Sequence, residues 1–333
     1  MKTYKICFIG ASGHWGYLTQ GMTSLNNTEF TAFAPSFENE NLTAFQNLEI
    51  HGKKGKFYQN YQDMLDAEQP DIISITPRYD LIAPITLEVV QRGIHVIAEK
   101  PLAFSLEKLD EIKEAVQKAG IRLSIMMGIR YEPAFFTAKK QVEAGRIGEP
   151  LLIWAQKSYR WGTRPEWYKK RETYGSTINW VGIHALDWAR WVSGLEFREI
   201  SASHANLIHP EFAGCQDIAT VQAKLSNGAL AVFNFDYLRP IQAKTHGDDR
   251  LRIAGSKGVL EVIGRENRLS ITDEAGEQEN EPLLTPPDFL ADFINELEGK
   301  GPAIISLEDA FKITEIAIKA TLAADTQRGV VFF

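Results

Sequence analysis

The sequence predicts two domains: an α/β N-terminal domain on a doubly wound parallel sheet, and a C-terminal α+β domain with a large open, mostly antiparallel sheet. Three observations carry this. At 333 residues the chain is longer than most single domains. Over roughly the first 125 residues, short apolar runs alternate with helical patterns, which is the signature of a parallel sheet wrapped by crossover helices. Beyond Gly128 the pattern changes to longer segments in which apolar and polar residues alternate strictly, as in strands buried on one face only. The expected boundary divides 1–127 from 128–333.

In the first domain the expected strands are 4–9, 31–34, 71–75, 95–98 and 122–126. Crossover helices are expected over 81–92 and 106–119, the second capped by Ser105 and stopped by Gly120. In the second domain, Ala219, Val221, Ala223 and Leu225 share one face of a strand and Thr220, Gln222 and Lys224 the other. Ser226, Asn227 and Gly228 follow as a hairpin turn into a returning strand over 229–237. Further strands are expected at 151–159, 197–206, 250–254, 259–263 and 269–272, with closing helices over 288–298 and 307–324. The stretch 274–287 reads as a polar loop.

Composition excludes several classes. A hydrophobic fraction of 44% and a charged fraction of 24% are ordinary globular values. No stretch approaches the roughly 20 apolar residues of a membrane span. The apolar run after Lys2 and Lys5 is too short for a secretory signal core of roughly 7–15 residues, so the expectation is a cytoplasmic chain. Only Cys7 and Cys215 are present, and Cys7 falls in a buried strand; a disulfide framework or a metal site has no material, and both thiols are expected to be reduced. The net charge of −7 carries no basic stripe, which argues against nucleic acid. A small-molecule ligand is expected.

The first strand runs into Gly10-Ala11-Ser12-Gly13-His14-Trp15-Gly16, a Gly-x-x-Gly-x-x-Gly spacing where the standard dinucleotide loop has Gly-x-Gly-x-x-Gly. Its physics is the same. Glycines let the backbone turn tightly and approach a pyrophosphate, whose charge is favoured by amides at the next helix's N-terminus. Such a loop alone is weak, but following the first strand of a βαβ unit is its required setting for NAD or NADP. An acid that would bond the ribose hydroxyls is missing at the end of the second strand, which reads Phe33-Ala34-Pro35-Ser36. A Ser36 hydroxyl bonded to a 2′-phosphate leans the choice to NADP; against it, no Arg or Lys accompanies Ser36, and Glu38 is an alternative ribose ligand.

The fourth expected strand with a crossover ends in Ala98-Glu99-Lys100-Pro101, putting a lysine at a strand's carboxyl end, where open α/β sheets bind ligands. A lysine there can exchange a proton with a substrate hydroxyl if desolvation or nearby positive charge lowers its pKa. Together with Ile75-Thr76-Pro77, Arg130-Tyr131-Glu132-Pro133, Gly145-Arg146-Ile147-Gly148-Glu149 and 251–258, in that order over nearly the whole chain, the sequence resembles the Gfo/Idh/MocA oxidoreductases. The resemblance implies a Rossmann-type first domain. It also implies cofactor contacts at Gly10, Ser12, Gly13, His14, Trp15, Ser36, Thr76, Pro77, Arg78, Glu99 and Lys100.

The family carries a helix with an Asp, a His one turn on and an Asp three residues further. Here His184 and Asp187 match, but Trp180 stands in the place of the first Asp. At helical spacing Trp180, His184, Asp187, Trp188 and Trp191 fall near one face. The resemblance implies that Lys100 and His184 flank the reacting carbon, Lys100 moving the proton and His184 positioning the oxygen. Asp187 orients His184 or anchors its helix, and Tyr174 or Glu172 are places to look for compensation of the lost acid.

Six of the seven tryptophans lie between Trp154 and Trp191. Indole faces suit sugar and cyclitol rings. Trp154, Trp188 and Trp191 are expected in the core; Trp161, Arg164 and Trp167, in a loop with Gly and Pro, join Arg130, Trp180 and Asp187 as candidate substrate contacts. The expected activity is hydride transfer between NAD(P) and a CH–OH/C=O carbon of a sugar, cyclitol or related polyol. The alternatives are redox-neutral glycoside cleavage, or a non-catalytic dinucleotide-dependent sensor, which the Trp180 departure motivates. A homodimer or homotetramer through the C-terminal sheet is expected, since its second face must be solvated or covered.

Overall fold

The computed structural model describes residues 2–326 and 331–333, of which Val331 is described by its backbone alone. The chain divides into two compact units. One takes the residues up to Gly128 together with Pro287–Thr314; the other takes Ile129–Pro286 and the residues from Glu315. The single boundary expected near 128 is therefore one of three crossing points, because the closing segment returns to the first unit before the chain ends.

The first unit is built on six parallel strands: β1 (Tyr4–Ile9), β2 (Thr28–Ala34), β3 (Lys56–Phe57), β4 (Ile72–Ile75), β5 (His95–Ala98) and β6 (Leu123–Ile125). Their order is β3-β2-β1-β4-β5-β6, so the winding reverses between β1 and β4. The central strands are apolar almost without interruption because helices cover both faces: every residue of β4 is buried, and so are five of the six in β1. Ser105 caps Leu106–Ala119 by accepting from the Lys108 amide at 3.3 Å, and Gly120 ends it at φ +65°. The helix Tyr61–Glu68 was missed because its polar sequence buries only Met64 and Leu65; its signal was the Asn60 cap, which accepts from the Asp63 amide at 2.8 Å. The two-residue β3 has no pattern to read, both of its residues being exposed.

The second unit carries β7 (Pro150–Arg160), β8 (Phe197–Ala205), β9 (Ile218–Leu225), β10 (Leu230–Arg239), β11 (Gly247–Gly255), β12 (Gly258–Ile263), β13 (Arg268–Asp273), β14 (Gly276–Gln278) and β15 (Val331–Phe332). Among the described residues these form one nine-stranded sheet, ordered β14-β13-β12-β11-β7-β10-β9-β8-β15. Only β7 and β10 pair in parallel; the other pairings are antiparallel. The β9–β10 hairpin closes through residues 226–228 with Gly228 at φ +90°, and its alternation puts Val221 opposite Phe233 and Ala219 opposite Phe235 on the buried face. The stretch expected to be loop over 274–287 contains β14, a short exposed edge strand.

On the opposite face Leu152 pairs with Leu230 and Trp154 with Val232, and this face is open: Leu152 is 47% and Leu230 56% exposed. Trp154, expected in the core, is therefore half-buried on the open face, because the alternation of β7 gives the inner positions to Ile153 and Ala155. Trp188 is fully buried as expected, and Trp191 is half-buried. Among the described residues no helix is long and apolar enough to cross a membrane.

Candidate active site

In the first unit the glycine loop is fixed from below by the carboxyl ends of β4 and β5. Gly10 takes φ +77°, and a Cβ there would lie 2.8 Å from Pro77 Cα and the Thr76 carbonyl oxygen, so only glycine lets the loop cross the end of β4. Thr76 returns the contact: its hydroxyl donates to the Gly10 carbonyl at 2.6 Å, and its own carbonyl accepts from the Ser12 amide at 2.8 Å. Thr76 and Pro77 thus shape the loop from beneath.

Glu99 does the same from β5. It is fully buried, with Oε1 accepting from the His14 amide at 2.6 Å and meeting His14 Nδ1 at 2.5 Å, while Oε2 accepts from the Lys100 amide at 3.0 Å. Burial opposes its ionisation, but His14 and the charge of Lys100 outweigh this and hold the carboxyl below its ordinary range. Gly13 is the position that admits it, since a Cβ there would sit 2.4 Å from Glu99 Cγ. Glu99 and the His14 side chain, both expected against the cofactor, are engaged with each other. Trp15 packs on Phe45, ring centroids 4.9 Å apart.

The loop fits a nucleotide pyrophosphate. Among the described residues the amides of Gly13 and Trp15 make no hydrogen bond, and they stand at the N-terminal end of the nine-residue helix Gly16–Ser24. Lys100 follows directly at the end of β5, only 1% exposed, with a cis peptide to Pro101. Ser36 is not the open hydroxyl that the sequence reading made it. Its amide and hydroxyl both donate at 2.7 Å to Oε2 of Glu40, whose Oε1 accepts from the Ala11 amide at 2.9 Å and the Ser12 hydroxyl at 3.0 Å. Arg78 is held by Asp80 through two bonds, Nε at 2.6 Å and Nη2 at 2.9 Å, with its guanidinium 5.4 Å from the centre of the Phe37 ring.

In the second unit His184 is buried in the helix Ile183–Ser193. The turn leading into it, Ile178–Gly182, is π-helical. π-turns of this kind recur at functional sites. Trp180 itself is 7% exposed. Arg130 and Asp187, both expected against substrate, are paired with each other inside the unit: Nε donates to Oδ2 at 2.9 Å and Nη2 to Oδ1 at 2.6 Å. Arg130 lies 5.3 Å from the centre of the Trp191 ring, and the pair ties this helix to the segment around Arg130.

Trp161, Arg164 and Trp167 enter an aromatic frame with neighbouring Tyr168 and with His209, Phe212 and Tyr237 from distant segments. Trp161 stacks on His209 at 3.8 Å and meets Phe212 and Tyr237 edge-on, and Trp167 packs on Tyr168. Arg164 lies 4.6 Å from the Tyr237 ring centre and donates to the Arg160 carbonyl at 3.0 Å. Tyr174 is buried, its hydroxyl 3.0 Å from those of Tyr237 and Thr177; Glu172 is exposed. A second buried ionic group went unread in the sequence. Lys157 Nζ lies 2.5 Å from Asp249 Oδ2 and 5.4 Å from the centre of the Trp188 ring. Burial works against that ammonium, but Asp249 and Tyr159 outweigh it and keep it charged. Beside them burial, reinforced by Asp249 and opposed by Lys157, pushes Glu132 up to about 7.

A glycine loop fitted to a pyrophosphate at the reversal of a doubly wound sheet, with a lysine at the end of β5, defines a dinucleotide-dependent oxidoreductase architecture. Residues 4–127 match the model of the oxidoreductase family with an NAD-binding Rossmann fold, and residues 135–261 match that of the GFO/IDH/MocA C-terminal domain. A putative oxidoreductase from Thermotoga maritima is 40% identical over 99% of this chain and 100% of its own, with a TM-score of 0.92. The chain belongs to the Gfo/Idh/MocA family and is an NAD(P)-dependent oxidoreductase. The uncharacterized oxidoreductase YrbE of Bacillus subtilis is 33% identical over 201 residues, 60% of this chain and 57% of that protein. The myo-inositol 2-dehydrogenase of Thermotoga maritima is 25% identical over 83% of this chain and 84% of its own.

Proposed function

We propose that this protein transfers hydride between NAD(P) and a CH–OH/C=O carbon of a sugar, cyclitol or related polyol. The observation that carries the reading is buried Glu99, whose carboxylate accepts from the His14 amide of the glycine loop on one side and from the backbone amide of buried Lys100 on the other. The likeness to a myo-inositol 2-dehydrogenase supports a polyol substrate. When bound, the nicotinamide gives or accepts the hydride; the residues of the chain align the substrate and move its proton. Lys100 exchanges the proton of the reacting oxygen, and His184 hydrogen-bonds and orients the substrate. The loop amides of Gly13 and Trp15 hold the pyrophosphate. Trp161 and its aromatic frame offer ring faces to the polyol.

A polyol panel assayed for appearance of reduced nicotinamide tests this. Turnover is expected with at least one cyclitol or sugar, and Lys100→Met is expected to abolish it in a variant that thermal unfolding shows to be folded. Full turnover in Lys100→Met would refute the assignment. Trp180 in place of the family's acid favours keeping redox-neutral glycoside cleavage and a non-catalytic sensor as second readings. Cleavage of a glycoside without net NAD(P)H would support the first, and ligand binding without turnover the second. We also propose a homodimer or homotetramer through the open sheet face around Leu152, Leu230 and Val232, and a cytoplasmic setting in keeping with two buried free thiols.

A further inference from the structure

Glu40 lies six residues beyond the end of β2, in a segment that no strand or helix pattern singled out. Its carboxylate nevertheless accepts four hydrogen bonds: from the Ala11 amide and Ser12 hydroxyl at the start of the glycine loop, and from the amide and hydroxyl of Ser36 just past β2. It therefore bridges the carboxyl ends of β1 and β2. In doubly wound sheets that corner receives the adenosine ribose, and an acid there reads the ribose hydroxyls. The acid missing at residues 33–36 is supplied from the following loop.

We propose that Glu40 selects NAD over NADP, its carboxylate accepting the ribose hydroxyls of NAD and repelling the 2′-phosphate of NADP. This deepens the reading of the chain as a nicotinamide-dependent enzyme and rests on it. A ribose diol brings donors that can take the place of the two Ser36 donors on Oε2, so the carboxylate stays satisfied. A 2′-phosphate brings only acceptors and a charge of about −1.5 to −2 against a carboxylate already holding the nearby hydroxyls. The cation on this rim does not redress the balance, because both Asp80 oxygens hold the Arg78 guanidinium. The same geometry turns the Ser36 argument around: the hydroxyl that favoured NADP in the sequence is already spent on an anion.

The test is a titration of the full-length protein with NADH and NADPH, followed by energy transfer from tryptophan to the reduced nicotinamide, on wild type, Glu40→Gln and Glu40→Ser. Thermal unfolding verifies that each variant is folded. Wild type is expected to bind NADH at least about tenfold more tightly than NADPH, a difference typical of one mispaired charged contact. Glu40→Gln, which keeps the size of the side chain and part of its bonding, should narrow that ratio; Glu40→Ser should narrow it further or reverse it. Equal or tighter NADPH binding by wild type would overturn the proposal. So would folded variants that lose affinity for both nucleotides by the same factor, which would make Glu40 a loop anchor only. Binding of neither nucleotide by wild type would overturn the nicotinamide reading itself.

Discussion

Glu132→Gln should stabilise the protein, and only at neutral to alkaline pH. The residue precedes Pro133 at the start of the helix Pro133–Glu143, and its side chain makes no capping bond, so the amide costs the helix nothing. The carboxyl rises from 4.5 to about 7 on folding because it leaves water and faces Asp249, with Lys157 opposing. Between these values the folded chain binds more protons than the unfolded one, so stability from this group is fully present below pH 4.5 and is lost as the pH rises through 7. At 1.36 kcal/mol per pH unit the limit is about 3 kcal/mol. The residue is only half-buried, and water screening brings the expected gain of the neutral amide to about 2 kcal/mol at pH 8. For a domain of this size that is a rise of roughly 4–8 °C in the unfolding temperature. Differential scanning calorimetry of wild type and variant from pH 5 to pH 8.5 reads it directly. The gap should open with pH; a gap of constant size, or one that closes as pH rises, would refute the reasoning.

Asp187→Asn should destabilise the second unit by about 1–3 kcal/mol, because it turns the buried, charge-assisted bidentate pair with Arg130 into bonds to a neutral amide, and chemical denaturation would register the loss. If the variant instead melts like wild type and is impaired only in substrate binding, the pair belongs to the substrate site. Gly13→Ala should weaken NADH binding by about tenfold or more, about 1.4 kcal/mol, since its Cβ would meet Glu99 at 2.4 Å and displace the loop; unaltered affinity in the titration would contradict this. Leu230→Glu on the open sheet face should shift the mass in light scattering toward monomer, and a monomeric wild type would refute the interface.

Periodicity made most of the architecture legible. Buried parallel strands such as β4 read as apolar runs, and one-sided strands such as β9 read as alternation, because each period records which faces meet solvent. Glycine spacing located the cofactor loop, and a lysine after a strand end located the proton-transfer candidate. The sequence by itself thus determined the two-domain class and the family, and it named the candidate site residues. Partner choice it left undetermined. Glu40 with Ala11 and Ser36, Lys157 with Asp249, and Arg130 with Asp187 are separated by up to 92 residues, and nothing in a linear pattern says which charge a distant charge will meet. Tertiary structure decided these points because a buried polar group must be satisfied by whatever the fold brings within hydrogen-bond distance, and that distance is set by how the segments pack rather than by their order in the chain.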